Sequence, residues 1–340
     1  MIDTPLSARV PAPAQLAAPQ HPQVPAWRGA TSDDIDAVHA LFAAAGRVDH
    51  PTYTVPREEI ADHFALPHID PARDTILGFG GDGELLAASS AILHPSRDTA
   101  AKVILEGAVH PAHRRRGIGT AALAWTYDRA LQHLASIDVP IPGEVAMYAE
   151  ERTTDAAAIA ERIGLSTERW FTTMVRDLAE PVLERAAPEG TRLVPYAPER
   201  AMDVLAARND AFRDHWGSLP SVEAPWRAFV DGPYLRPDLS TLLLEGDRVV
   251  ALCLASVNEE DWEALGAPNT YIDLIGVVRD RRARGYAPTV ISRTLAAARD
   301  AGLRKAVLDV DTASPTGAHG LYERLGFAAT DRSRVLTRHF

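Results

Sequence analysis

The sequence predicts a mixed α/β (α+β) protein of two similar domains, each a partly antiparallel twisted sheet flanked by helices. A basic glycine turn occurs twice, half a chain apart, as His113-Arg114-Arg115-Arg116-Gly117-Ile118-Gly119-Thr120 and Arg281-Arg282-Ala283-Arg284-Gly285-Tyr286-Ala287-Pro288. Each copy follows an apolar strand-like run and opens a helix-like run. Strand and helix patterns alternate along both halves, as an α/β arrangement requires. Each half also carries a Gly/Asp turn between two apolar runs, and such hairpins need antiparallel neighbours. A length of 340 residues suits two cores.

The elements follow in order. Residues 1–26 are rich in Ala and Pro and are expected to be a disordered arm. Trp27 to Thr31 reads as a first strand. Ser32 or Asp33 caps a helix with Ile35, Val38, Leu41 and Phe42 at helical spacing. His50 to Pro71 is broken by prolines and is expected to cover the substrate side. Thr75 to Gly80 and Glu84 to Leu93 flank the turn Gly81-Asp82-Gly83. Lys102 to Val109 is a strand, Thr120 to Leu134 a helix and Val145 to Ala149 a strand. Ala156 to Ile163 is a helix stopped by Gly164. Arg169 to Leu178 closes the first domain, set at 27–180, and 181–190 is the linker.

The order then recurs over the second domain, 191–340. Arg192 to Pro195 starts it and Glu199 to Arg208 is its first helix. Pro220 to Pro237 is a broken stretch. Ser240 to Leu244 and Arg248 to Val257 flank Glu245-Gly246-Asp247. Thr270 to Val278 leads to the second turn, Pro288 to Ala301 is the helix after it, Lys305 to Val310 a strand and Gly317 to Leu325 a late helix.

Both turns fit R-x-x-G-x-G/A, through Arg114, Gly117 and Gly119 and through Arg282, Gly285 and Ala287. A helix start leaves amide N–H groups without partners and carries partial positive charge, so it suits a pyrophosphate. Glycine lets the backbone approach, and Arg115, Arg116 and Arg284 add charge beside the first arginines. A solvated basic turn is the plain alternative for either copy alone.

The run Ala108 to Gly119 resembles the acetyl-CoA loop of the GNAT superfamily of N-acetyltransferases. The late segment Gly317-Ala318-His319-Gly320-Leu321-Tyr322-Glu323-Arg324-Leu325-Gly326-Phe327 is similar to that family's L-Y-x-x-x-G-F helix. Two such halves, from Trp27 onward, resemble its tandem members, as does Ala211 to Gly217. The resemblance implies acetyl-CoA as donor. Ala108, Val109 and Val277 would lie along the pantetheine arm, and the amides of Gly117, Ile118, Gly119, Thr120, Gly285 and Ala287 at the pyrophosphate. The acceptor it implies is a small-molecule amine of secondary metabolism that attacks the thioester directly.

The halves differ. The first turn has two glycines and Thr120. The second has Ala287 and then Pro288, which lacks an amide donor. The catalytic candidates lean the other way. Tyr322 could protonate the leaving thiolate, or it could be a tyrosine packed at the core edge. Alignment of the late helices puts Ala160 opposite Tyr322. Asp273, four residues before Val277, shares its face, whereas Glu106, three before Val109, faces the other way; a bulge in either strand undoes the count. Either carboxylate could act as base or stand in an ion pair.

Composition narrows the rest. A net charge of −11 disfavours a nucleic-acid partner; it suits a cationic substrate, or serves solubility alone. Cys253 is the one cysteine, so no intrachain disulfide forms, and its apolar run marks it as core. His110 and His113 flank Pro111 without other ligands, so no metal is expected. No apolar run is long enough for a membrane span and the N-terminus lacks signal-peptide pattern, so the expected compartment is the cytoplasm. Trp216, Trp226 and Tyr234 either line a substrate pocket or anchor their loop. A CoA-binding protein with one or both halves non-catalytic is the rival reading, and an aminoacyl transferase the third.

Overall fold

The computed structural model describes residues 3–50, 53–183, 185–313 and 317–340. The first half runs α1 (Leu6–Arg9), β1 (Ala26–Gly29), α2 (Ile35–Asp49), α3 (Arg57–Ala65), α4 (Pro71–Asp74), β2 (Thr75–Phe79), β3 (Leu85–Leu93), β4 (Ala101–Val109), α5 (Ile118–Ala135), β5 (Gly143–Glu150), α6 (Thr154–Arg162) and β6 (Ser166–Asp177). The second runs β7 (Thr191–Pro195), α7 (Ala201–Ala211), α8 (Glu223–Val230), β8 (Thr241–Glu245), β9 (Arg248–Ser256), α9 (Asp261–Leu265), β10 (Asn269–Val277), α10 (Tyr286–Asp300), β11 (Lys305–Asp311), α11 (Ala318–Arg324) and β12 (Ala328–His339).

The chain divides into two compact units. Unit 1 takes residues up to Trp170 together with Ser333–Phe340, and unit 2 takes Phe171–Arg332. The divisions fall inside strands β6 and β12, not at the proline-rich junction 181–190. Residues Phe171 to Asp177 pair antiparallel with β11 in unit 2, and Ser333 to His339 pair antiparallel with β5 in unit 1. Each sheet is therefore completed by the last strand of the other half. Prolines mark where the chain turns, whereas strand pairing decides which core a segment joins.

Unit 1 has the strand order β1-β2-β3-β4-β5-β12 and unit 2 the order β7-β8-β9-β10-β11-β6. In both, the first three pairings are antiparallel, the fourth (β4 with β5, β10 with β11) is parallel, and the last is antiparallel. The hairpins sit where the Gly/Asp turns predict them. Strand β9 is buried along nearly its whole length, including Cys253, whose thiol burial pushes up to about 12.

The N-terminal arm is not disordered over its described residues. Leu6 is fully buried and Val10 nearly so, both in the core formed by β4, β5 and α5. Leu6 N donates to Val139 O at 3.1 Å and Ser7 N to Ile137 O at 3.0 Å. Val24 packs with Leu86, Ala87 and Ile118. A few apolar side chains anchor a segment whose average composition is that of a linker.

Two helices stand in stretches that prolines break. Helix α3 begins directly after Pro56, and α8 carries Pro225 at its third position, inside the first turn. An amide is not needed for the helical ladder there, so proline is tolerated. The cap of α2 also differs from the expected Ser32 or Asp33. The Asp34 carboxylate accepts from the Thr31 amide at 2.8 Å and hydroxyl at 3.0 Å, ahead of the helix. The Arg28 fork on Asp34, at 2.6 and 2.7 Å, holds that carboxyl below its ordinary pKa.

Candidate functional site

In each unit two parallel strands begin paired and then part. Strands β4 and β5 are in register from Ala101 to Leu105, while β4 continues to Val109 and β5 to Glu150. Strands β10 and β11 are in register only from Asn269 to Tyr271, while β10 continues to Val277. A wedge opens toward the carboxyl ends, where the edge of β4 from Glu106 to Val109 no longer bonds to β5. Exposed strand edges of this kind can pair with an extended amide-bearing ligand. Ala108 and Val109 lie along this edge, and Val277 at the matching place in unit 2.

The glycine turn closes each wedge with the same backbone path. Arg115 and Ala283 have φ of 63° and 61°, and Gly117 and Gly285 have φ of 93° and 78°. Left-handed backbone at a residue other than glycine costs on the order of 1 kcal/mol and gathers at functional sites. The sequence pattern carries no signal for it at Arg115 or Ala283. In unit 1 the first helical bond runs from Ala121 N to Gly117 O at 3.1 Å, so the amides of Ile118, Gly119 and Thr120 precede the ladder. A Cβ added at Gly119 would come within 3.4 Å of Val109 Cγ2, so glycine keeps the cradle open. In unit 2 the helix starts at Tyr286, two residues earlier than expected, and Pro288 takes its third position. That leaves two such amides in unit 2 against three in unit 1.

The arginines divide into two roles. Arg114 forks onto Asp49 with both nitrogens at 2.7 Å, and its Nε donates to Val109 O at 3.0 Å. Arg282 does the same work in unit 2, through Asp214 at 3.2 Å and Ala211 O at 2.7 Å. These two clamp the turn to the end of α2 or α7. The stretch from Ala211 to Gly217 therefore serves the loop. Arg115 lies 3.7 Å from Asp155 and is largely exposed. The guanidinium groups of Arg116 and Arg284 are exposed and make no hydrogen bond or ion pair among the described residues, so their charge is open to a ligand. His21 Nε2 lies 2.7 Å from Arg116 O, so the arm also touches the unit 1 turn.

Glu106 stands on β4 just beyond the point of parting. Its surface is accessible to water, yet burial raises its pKa from the ordinary 4.5. The two observations agree for a carboxyl inside a cleft, wetted but hemmed in by protein, and solvent there limits the size of the effect. The register of β4 is unbroken from Val103 to Val109, so Glu106 and Val109 face opposite sides. Glu59 of α3 lies near it. Burial raises Glu59, the charge of Glu106 raises it further, and the Tyr53 hydroxyl donates to it at 2.6 Å. Burial lowers the pKa of His63, one turn along α3. Sequence reading missed Glu59, Tyr53 and His63 because no spacing ties α3 to β4.

Asp273 stands at a bulge. The register of β10 against β9 shifts between Ile272 and Leu274. The bulge breaks the count by twos back from Val277, so Asp273 does not share the face of Val277 by strand parity. Ser256 Oγ donates to Asp273 Oδ1 at 3.2 Å. Asp273 also lines a cavity of about 260 Å³ with Arg208, Ser221, Pro225, Trp226, Phe229 and Leu274. Trp226 lines this space, and its Nε1 donates to Ala201 O at 2.8 Å, which anchors it to the start of α7. Tyr322 of α11 is 8% exposed and packs against Phe327, with ring centroids 6.0 Å apart. Burial drives its phenol well above the ordinary range, so it stays protonated. Ala160, opposite it in the repeat, is fully buried. No group of His, Cys, Asp or Glu among the described residues could hold a metal ion, and no helix there is long and apolar enough to cross a membrane.

Comparison with known proteins agrees with this geometry. The acetyltransferase (GNAT) family matches residues 35–150 and again 201–327, more than half of the chain. A mycothiol acetyltransferase of Salinispora tropica is 30% identical over 304 residues, covering 87% of this chain and 90% of its own. One from Salinispora arenicola is 32% identical over 68% of this chain and 72% of its own. Among solved structures, a GCN5-related N-acetyltransferase from Sphaerobacter thermophilus has a TM-score of 0.69 at 23% identity, covering 92% of this chain and 95% of that one. A tandem GNAT protein from the clavulanic acid biosynthesis pathway has a TM-score of 0.67 at 17% identity, covering 92% and 98%. With two wedges, two glycine turns and two family matches, the chain belongs to the GNAT family as a tandem N-acetyltransferase.

Proposed function

We propose that the protein transfers an acetyl group from acetyl-CoA to a small amine of secondary metabolism, which attacks the thioester directly. The observation that carries this is the turn built twice at the mouth of a parted strand pair, with left-handed backbone at equivalent positions. When bound, acetyl-CoA supplies the acetyl thioester; the amide N–C bond forms as the thioester C–S bond breaks, and one proton leaves the amine while another reaches the sulfur. Gly117, Ile118, Gly119 and Thr120 hold the pyrophosphate in unit 1, and Arg116 meets its charge. In unit 2, Tyr322 holds the proton for the sulfur and Asp273 takes the proton of the amine. Glu106, with Glu59 beside it, offers a second carboxylate site in unit 1.

Ala160 gives unit 1 no counterpart to Tyr322, and Pro288 gives unit 2 the poorer cradle. Those differences favour a division of labour, in which one unit holds donor without turning it over. Native mass spectrometry with acetyl-CoA on the intact protein, and on Gly117→Glu and Gly285→Glu, separates the units. Loss of a bound donor only in Gly117→Glu assigns it to unit 1; loss only in Gly285→Glu assigns it to unit 2 and supports Tyr322 and Asp273. No binding at millimolar acetyl-CoA sinks the reading. The relatives' name makes the amine precursor of mycothiol one arm of the acceptor panel.

A further inference from the structure

The cavity of unit 2 holds a positive charge that the transfer reaction above leaves unused. Arg208 lies in the last turn of α7 and faces this space of about 260 Å³ with Trp226, Phe229 and Asp273. Neutral groups alone hold its guanidinium. Nη1 donates to Leu219 O at 2.8 Å and to Asn209 Oδ1 at 3.0 Å, and Nη2 reaches Ser218 Oγ at 3.4 Å. The Phe212 ring centroid lies 5.3 Å from the cation.

Several other arginines of the same unit meet acids. Arg248 is 2.9 Å from Asp280, Arg279 is 2.9 Å from Asp214 and Arg281 is 2.7 Å from Glu245. Arg208 has no carboxylate partner among the described residues. Burial alone lowers its pKa, with no anion to offset it. A part-buried cation without a counter-charge is destabilising, and a chain with a net charge of −11 has acids to supply one. Its Nε edge makes no hydrogen bond among the described residues, and that edge fits an anion that arrives with a ligand.

The negative counterpart lines the same space. Asp273 is a short distance along β10 from the wedge, and Trp226 and Phe229 form an aromatic wall with ring centroids 5.7 Å apart. At about 260 Å³ and open to solvent, the space suits a small molecule. We propose that unit 2 takes an acceptor carrying both charges, an amine and a carboxylate on one small skeleton. Arg208 receives the carboxylate, Asp273 the amine, and Trp226 and Phe229 the carbon skeleton. This rests on unit 2 being an acceptor site.

The test is calorimetry on the intact protein with CoA present, using leucine, phenylalanine and β-alanine, each against its carboxamide. The acids are expected to bind at least tenfold tighter than the amides. Arg208→Met is expected to erase that preference while CoA binding persists, and Arg208→Lys to keep part of it. Arg208 also steadies Leu219, so a loss of all binding in Arg208→Met is no measure of its role; the preference of the unaltered protein decides. Amides binding as well as acids, no member binding, or a preference that survives Arg208→Met overturns the proposal. Acetyl transfer to acids and amides alike would end it and leave the N-acetylation reading standing. Selective binding of acids without transfer would do the reverse.

Discussion

Arg114 and Asp49 form a two-point clamp, with both nitrogen–oxygen distances at 2.7 Å, that ties the glycine turn of unit 1 to the end of α2. The pair is about four-fifths buried, at 21% and 19% exposure. Asp49→Ala leaves the guanidinium without its partner, which is expected to destabilise unit 1 by about 1–3 kcal/mol. The turn then loses its fixed position, and acetyl-CoA binding, which the proposed function assigns to this turn, should fall roughly tenfold, about 1.4 kcal/mol. Arg114→Lys with Asp49 in place should weaken binding as well, because an ammonium cannot fork onto the carboxylate. Urea unfolding and titration of acetyl-CoA check both parts. Unchanged binding in Asp49→Ala would show that the clamp does not shape the cradle.

Glu106 and Glu59 set a pH dependence whose sign follows from burial. Both carboxyls are raised, so the native state keeps protons that the unfolded chain releases. Between the ordinary 4.5 and the raised values, stability therefore falls as pH rises. Glu106→Gln is expected to be more stable than the parent near neutral pH. The gain should shrink toward zero as pH drops below about 4, where both forms are neutral. Denaturant midpoints measured across that range test it, and a gain that ignores pH would refute the cleft environment of Glu106.

Much of this site was legible because its signals are local. The strand, turn and helix around Gly117 lie within one stretch of chain, and the repeat at Gly285 doubles the evidence. The hairpins at Gly81-Asp82-Gly83 and Glu245-Gly246-Asp247 are local too. Long-range relations were hidden. Nothing near Arg114 says that Asp49 takes its fork, nothing near Glu106 points to Glu59, and Arg208 reads as an ordinary helix arginine until Leu219 folds back on it. The exchange of β6 and β12 between units was hidden for the same reason. Each strand looks like the end of its own half, and only pairing to β11 or β5 assigns it.

Tyr322 distinguishes a proton donor from a packing residue. Its ring is in the core with Phe327, and its hydroxyl has no hydrogen bond among the described residues. Tyr322→Phe keeps the ring and removes the proton, so stability should change by less than about 1.5 kcal/mol. If Tyr322 protonates the sulfur, kcat falls by roughly 10²–10⁴ while KM for acetyl-CoA holds. Steady-state kinetics decide. An unchanged kcat assigns the residue to packing and moves attention to unit 1.

Leu6 makes the strongest claim about the N-terminal arm. It is fully buried, and the position where Gly143 lacks a Cβ lies 2.6 Å from Leu6 Cδ2, so the glycine makes room for it. Leu6→Ala removes that packing and should destabilise the protein by about 2–5 kcal/mol. Gly143→Ala alone should cost about 1–3 kcal/mol through overpacking. The two substitutions fill one space from opposite sides, so the double variant should be more stable than the sum of the single effects predicts. A double-variant cycle by urea unfolding measures that coupling. Strict additivity would mean that Leu6 does not sit against Gly143 in solution, and a Leu6→Ala variant as stable as the parent would return the arm to the linker its composition suggests.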